Sequence, residues 1–161
     1  MLKQDLSRCS LFQGFSDAQL STLNPLLEYC HFPAGTIIFS QGESAQSLYI
    51  LLGGCVEVIY KPYDGPALTV AKIIPGGVFG WSAALGRDVY TSAAVAGEPV
   101  EAYRLNGHKL HFLCERYPET GVVLLERLAS IIAERLSSTH DQILAVLQNG
   151  MDHCEDPGRS K

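Results

Sequence analysis

The sequence predicts an all-β core, a sandwich or barrel, set between helical ends. Three observations predict it. Between residues 31 and 105, short runs of β-branched and aromatic residues alternate with turns built from Gly, Pro and Asp. On either side of that region, apolar residues recur at helical spacing instead. Within it, Pro75-Gly76-Gly77-Val78-Phe79-Gly80 runs into Trp81 and the small residues Ser82-Ala83-Ala84, where backbone can approach a ligand with no Cβ in the way.

Composition narrows the class. At 161 residues the chain is long enough for one domain with a sizeable core. Hydrophobic residues make up 47% and charged residues 18%, which is ordinary for a globular protein. The net charge of −5 argues against direct DNA binding, which needs a positive face. Cys9, Cys30, Cys55, Cys114 and Cys154 form no C-x-x-C pair, so neither a zinc ribbon nor a disulfide framework is written here. Their odd number fits a reducing compartment. No apolar run reaches signal-peptide or membrane-spanning length, so a cytoplasmic protein away from the membrane is expected.

Residues 1–30 read as helical. Ser16-Asp17 is an N-cap, Leu20, Leu23, Leu26 and Leu27 follow at helical spacing, and Pro25 starts a second turn or a kink. Thr36–Phe39, Leu48–Leu52, Cys55–Tyr60, Leu68–Ile74, Thr91–Ala96 and Val100–Leu105 read as strands, within a total of six to eight. Gly53-Gly54 reads as a tight hairpin in which both residues take positive φ, and Asp64-Gly65 as the next turn. A short helix from Trp81 or Ser82 would aim free N–H groups at the glycine-rich turn, an anion site. Asn106 caps a helix over 107–116, and Pro118 opens a longer one to about Gln148, roughly 45 Å at 1.5 Å per residue. Along it Leu125, Ala129, Ile132, Leu136, Thr139, Ile143 and Val146 form a heptad seam, while Leu124, Leu128 and Ile131 form a second apolar row. Two rows on one helix predict core packing on one side and a homodimer through residues 119–148 on the other. The polar segment 149–161 is expected to be disordered.

Taken in order, Phe32-Pro33-Ala34-Gly35, Gln41-Gly42-Glu43, Leu48-Tyr49-Ile50, Gly53-Gly54-Cys55-Val56-Glu57-Val58 and Pro75-Gly76-Gly77-Val78-Phe79-Gly80 resemble the cyclic-nucleotide-binding domain family. The resemblance spans roughly residues 8–145. It implies a domain over 1–148, mainly β with flanking helices. N-terminal helices would occupy 1–30, a β-roll (a double-sheet jelly roll) 31–105, and C-terminal helices 106–148, ending in a long dimerisation helix like that of relatives of the catabolite activator protein. In that family a phosphate-binding cassette supplies backbone N–H groups to the cyclic phosphate, a Glu to the ribose, and an Arg beside Ser or Thr to the phosphate charge.

Carried over by position, Phe79 and Gly80 match, Trp81 stands at the Glu position, and Ser82, Ala83 and Ala84 occupy the short helix. Thr91 stands at the Arg position with Ser92 beside it. Thr139 falls where a polar residue of the long helix reaches the base. Indole accepts no hydrogen bond and threonine carries no charge. Such charge-assisted contacts contribute about 1.5–3 kcal/mol each, so cyclic AMP or cyclic GMP should bind roughly two to four orders of magnitude more weakly. Either Arg87 folds back to replace the lost charge or it is a solvated loop residue. Either Trp81 stacks on a flat ligand at the pocket mouth, or it fills the pocket and leaves a ligand-free dimerisation scaffold.

Other chemistry is not written into the chain. His108 and His111 share a helix face but Cys114 turns away, so no metal site is expected. No Ser/His/Asp set or carboxylate pair stands in motif context, so no enzyme is expected. Bacterial transcription factors of the family carry a helix-turn-helix domain after the long helix, for which a chain ending at 161 has no room. The sequence reading is therefore a stand-alone sensor of a cyclic nucleotide or another small anion, signalling to a partner protein.

Overall fold

The computed structural model describes the backbone of residues 6–159, with side chains described only in part from Ser138 onward. The chain divides into two units, one ending at Arg127 and one beginning at Leu128.

The first unit starts with a 3-10 turn, Ser10–Phe12, and helix α1 (Asp17–Leu23). Ser16 caps α1 as its sequence implies. Its hydroxyl accepts from the Gln19 N–H at 3.2 Å, and the Gln19 side chain accepts from the Ser16 N–H at 2.9 Å. Helix does not persist to residue 30, however. Pro25 sits in a 3-10 turn, Asn24–Leu26, and Leu27–Phe32 is strand β1. Proline denies the next turn its N–H. Beyond it the pattern has period two, with Cys30 and Phe32 packed on the core.

Seven further strands follow: β2 (Ile37–Phe39), β3 (Ser47–Gly53), β4 (Val56–Tyr60), β5 (Leu68–Ile73), β6 (Val78–Phe79), β7 (Ala93–Ala96) and β8 (Val100–Asn106). They form two four-stranded antiparallel sheets, β1-β8-β3-β6 and β2-β7-β4-β5, which is the double-sheet roll. The Gly53-Gly54 pair does not close a hairpin. Strands β3 and β4 lie in different sheets, and the chain crosses between them. Only Gly54 has positive φ, +88°, and the Pro99 backbone packs where its Cβ would stand. Asp64-Gly65 does join paired strands, β4 and β5.

The roll interior is apolar: Leu51, Val56, Ile73, Ala94, Ala96, Val100 and Ala102 are buried there, together with four aromatic residues. Helix α2 (Gly107–Arg116) begins where expected, the Asn106 side chain accepting from the His108 N–H at 2.8 Å. Helix α3 (Pro118–Arg159) follows, and Gly121 lets its first turn approach α2. A Cβ there would stand 2.8 Å from Cys114 Cα. Leu124 is fully buried and Leu125 is exposed.

In the second unit α3 runs on past Gln148 to Arg159, into the segment expected to be disordered. Extending an existing helix needs no new nucleus, so a polar stretch can continue it. Leu136, on the heptad row, is exposed. The side chains of Thr139, Ile143 and Val146 lie outside the described residues.

Candidate functional site

The glycine-rich segment forms a compact corner. Strand β6 pairs with β3, Phe79 opposite Tyr49, and then Gly80 turns in the left-handed region at φ +75°. A Cβ on Gly80 would stand 3.1 Å from Phe39 Cε1 and 3.2 Å from both the Ser47 carbonyl and Tyr49 Cδ2. Both the conformation and the close packing therefore require glycine. Trp81–Ala83 is a single 3-10 turn, closed by the Ala84 N–H on the Trp81 carbonyl at 2.9 Å. Ser82 is buried and its carbonyl accepts from the Arg87 N–H at 3.0 Å. Trp81 is half-buried and lies outside the cluster that fills the roll.

What fills the roll beside this corner is Tyr90. Its ring stacks on Phe39 with centroids 3.7 Å apart and planes 15° apart. Tyr49 and Phe79 stack at 5.1 Å behind them, and Phe39 bridges the two pairs at 5.9 and 6.2 Å. The Tyr90 hydroxyl donates to the Ser47 carbonyl at 2.6 Å and accepts from the Ser47 N–H at 3.1 Å. Burial pushes the Tyr90 phenol up, and pushes Tyr49 up to about 12. Both stay neutral donors across the physiological range. Thr91, the next residue, is exposed, and Ser92 is half-buried.

A pocket of about 280 Å³ remains, bounded by Phe39, Tyr49, Tyr90, Ser47, Glu43 and Arg104. Arg104 is the pocket-lining residue that sequence reading missed. It follows Val100 and Ala102 on the inward-facing register of β8, both of them core residues. A cation at the third inward position of an otherwise apolar strand face was the available signal. Its Nη2 lies 2.7 Å from Glu28 Oε1 on the neighbouring strand, and its guanidinium also meets the Tyr49 hydroxyl. The guanidinium beside Glu28 holds that carboxyl below its usual value. Glu43 is engaged as well, its carboxylate accepting from the Ser40 N–H at 2.7 Å.

Arg87 does not reach this pocket. It is exposed and lines a neighbouring cleft of about 500 Å³ with Asp88, Asn106 and His108. His111 lies 3.0 Å from Glu115 one turn along. Among the described residues no group of three His, Cys, Asp or Glu side chains could hold a metal ion, and no helix is long and apolar enough to cross a membrane.

Tyr90 and Phe39 occupy the interior beside the cassette, the exposed Thr91 carries no charge, and Trp81 accepts no hydrogen bond. The remaining pocket is slightly below the range of about 300–1,000 Å³ usual for small-molecule sites.

Comparison with known proteins bears directly on this geometry. Residues 29–117 match the family defined as the cyclic nucleotide-binding domain. A CRP-like cAMP-activated global transcriptional regulator from Mycobacterium tuberculosis is 27% identical over 138 residues, 86% of this chain. The chain spans 60% of that regulator's length. The catabolite activator protein of Thermus thermophilus superposes with a TM-score of 0.72 at 28% identity, over 86% of this chain and 63% of its own. A Geobacter metallireducens protein described as cyclic nucleotide-binding superposes with a TM-score of 0.73 at 30% identity, over 84% of this chain and 98% of its own.

Proposed function

The chain belongs to the cyclic nucleotide-binding domain family, and we propose that it is a regulatory sensor module whose cassette has given up tight cyclic nucleotide binding. The observation that carries this reading is the Tyr90 ring, stacked 3.7 Å from Phe39 with its hydroxyl tied to both backbone groups of Ser47. A purine or ribose entering beside the cassette would have to displace that ring and leave Ser47 unpaired. The ligand the site suits is small, polar and capable of meeting Arg104 and two phenols. The second reading is a ligand-free dimerisation scaffold. The same aromatic packing favours it, with Tyr90 taking the plugging role that was one of two alternatives for Trp81.

The reading extends to assembly. The exposed Leu125 and Leu136 on the heptad row support a homodimer through residues 119–148. In it the long helix would transmit the state of the roll to a partner protein. The curated regulator named above is cAMP-activated and acts on transcription. We carry over to this chain only the sensing architecture, not the DNA target.

Calorimetric titration with cyclic AMP and cyclic GMP tests the site. The native protein is expected to show no micromolar affinity, and micromolar or tighter binding overturns the proposal. Thr91→Arg with Trp81→Glu should restore little while Tyr90 fills the roll. Adding Tyr90→Ala should bring back roughly two to four orders of magnitude, the cost assigned to the lost contacts. Light scattering tests assembly: the native chain should run as a dimer at micromolar concentration, and Ile132→Asp with Leu136→Asp should yield monomers.

A further inference from the structure

A cavity outside the cassette lies on the outer side of the first sheet, where the N-terminal segment crosses it. It encloses about 410 Å³. Two anchors fix its walls. On one side the Ser10 N–H and hydroxyl both bond the Gly76 carbonyl, at 3.4 and 3.1 Å, and the Gly76 N–H bonds the Leu51 carbonyl at 2.8 Å. This ties the segment carrying Arg8 to the 75–77 turn. On the other side Glu101 of β8 pairs with Gly53 of β3, and its carboxylate lies over that glycine, 3.5 Å from where a Cβ would stand. The absence of a side chain at Gly53 leaves the carboxylate room.

Arg8 and Glu101 therefore line one cavity, and among the described residues no ion pair joins them. Between them Tyr29 and Tyr103 meet edge to face with centroids 6.3 Å apart, and the Tyr29 hydroxyl donates to the Glu101 carboxylate. Leu52 and Pro75 add apolar wall. A cation held at Glu101 would also meet the faces of aromatic rings, a second attraction. An anion held at Arg8 would meet a planar guanidinium suited to carboxylate. The apolar wall is left for a hydrocarbon side chain.

We infer that this cleft binds a small zwitterion, a free α-amino acid with an apolar side chain, its carboxylate at Arg8 and its ammonium at Glu101 and the tyrosine pair. Opposite charges lining one cavity select a ligand that carries both. A simple amine or acid satisfies one wall and leaves the other solvated. The site is independent of the cassette and of whatever that cassette takes. Both charged side chains are solvent-accessible, so screening keeps the affinity modest, with a Kd of about 0.1–1 mM.

Titration of the full chain by amide-resolved NMR with L-phenylalanine tests it. Phenethylamine and 3-phenylpropionate, each lacking one charge, serve as controls. L-Phenylalanine should saturate, shift the amides of Arg8, Gly76 and Glu101, and bind about tenfold more tightly than either control. Arg8→Gln and Glu101→Gln should each weaken it about tenfold, and Arg8→Lys less. Thr91→Arg should leave it unchanged, which separates this site from the cassette. The inference is overturned by controls that bind as tightly as the amino acid, or by charge variants without effect. It is also overturned by shifts centred on Ser82 and Ser92, or by no saturation up to about 10 mM, where binding is too weak to be specific.

Discussion

Tyr90→Phe isolates the hydroxyl that ties the cassette loop to the roll. The ring stays, so stacking on Phe39 should persist. What is lost is the pair of hydrogen bonds to Ser47, at 2.6 Å to its carbonyl and 3.1 Å from its N–H. Tyr90 and Ser47 are 4% and 6% exposed, so water does not readily replace the phenol oxygen. A buried backbone group left unsatisfied costs about 1–3 kcal/mol, so a loss of at least about 2 kcal/mol is expected. For a domain of this size about 2 kcal/mol is roughly 4–8 °C in Tm. Urea unfolding followed by circular dichroism should show a lower midpoint at unchanged slope. Tyr90→Ala also deletes the stacked ring and should cost more, about 3–5 kcal/mol. A Tyr90→Phe change under about 0.5 kcal/mol would refute the reasoning, since it would place the hydroxyl in contact with water and the ring free to leave the roll.

Two further outcomes follow from named positions. Gly80→Ala forces a Cβ into the left-handed region against Phe39, Ser47 and Tyr49 and should cost about 2–3 kcal/mol. Gly86→Ala, at φ +72° with open space around it, should cost only about 1–2 kcal/mol, and equal losses in thermal denaturation would refute the packing argument. The lowered Glu28 carboxyl gives a pH dependence of known sign. Its folded value lies below 4.5, so its contribution is present above the unfolded value and is lost as pH falls through the folded one. The Tm difference between the native protein and Glu28→Gln should therefore shrink as pH falls below about 4.5, and it should be small throughout because the pair is exposed.

The roll was legible in the sequence because a strand's period and its turn residues are local properties. Six strands, the Ser16 and Asn106 caps and the Pro118 helix start needed only neighbouring residues to be read. Strand β1 was missed because leucines at helical spacing ran up to it and masked the alternation that begins at Leu27. Gly53-Gly54 reads as a hairpin in one dimension. Only the pairing of β3 with β8, and of β4 with β7, shows that the chain changes sheets there.

The candidate site divides the same way. The sequence located the cassette, matched Phe79 and Gly80 to it, and set Trp81 and Thr91 against tight cyclic nucleotide binding, because donor count and charge are properties of residue type. It could not decide what fills the roll. That depends on whether the side chain at 90 or at 91 turns inward, and a loop has no periodicity from which to tell. The tertiary structure decides it through Ser47. A buried backbone N–H and carbonyl need partners, the Tyr90 hydroxyl supplies both, and the ring is thereby fixed against Phe39 inside the roll.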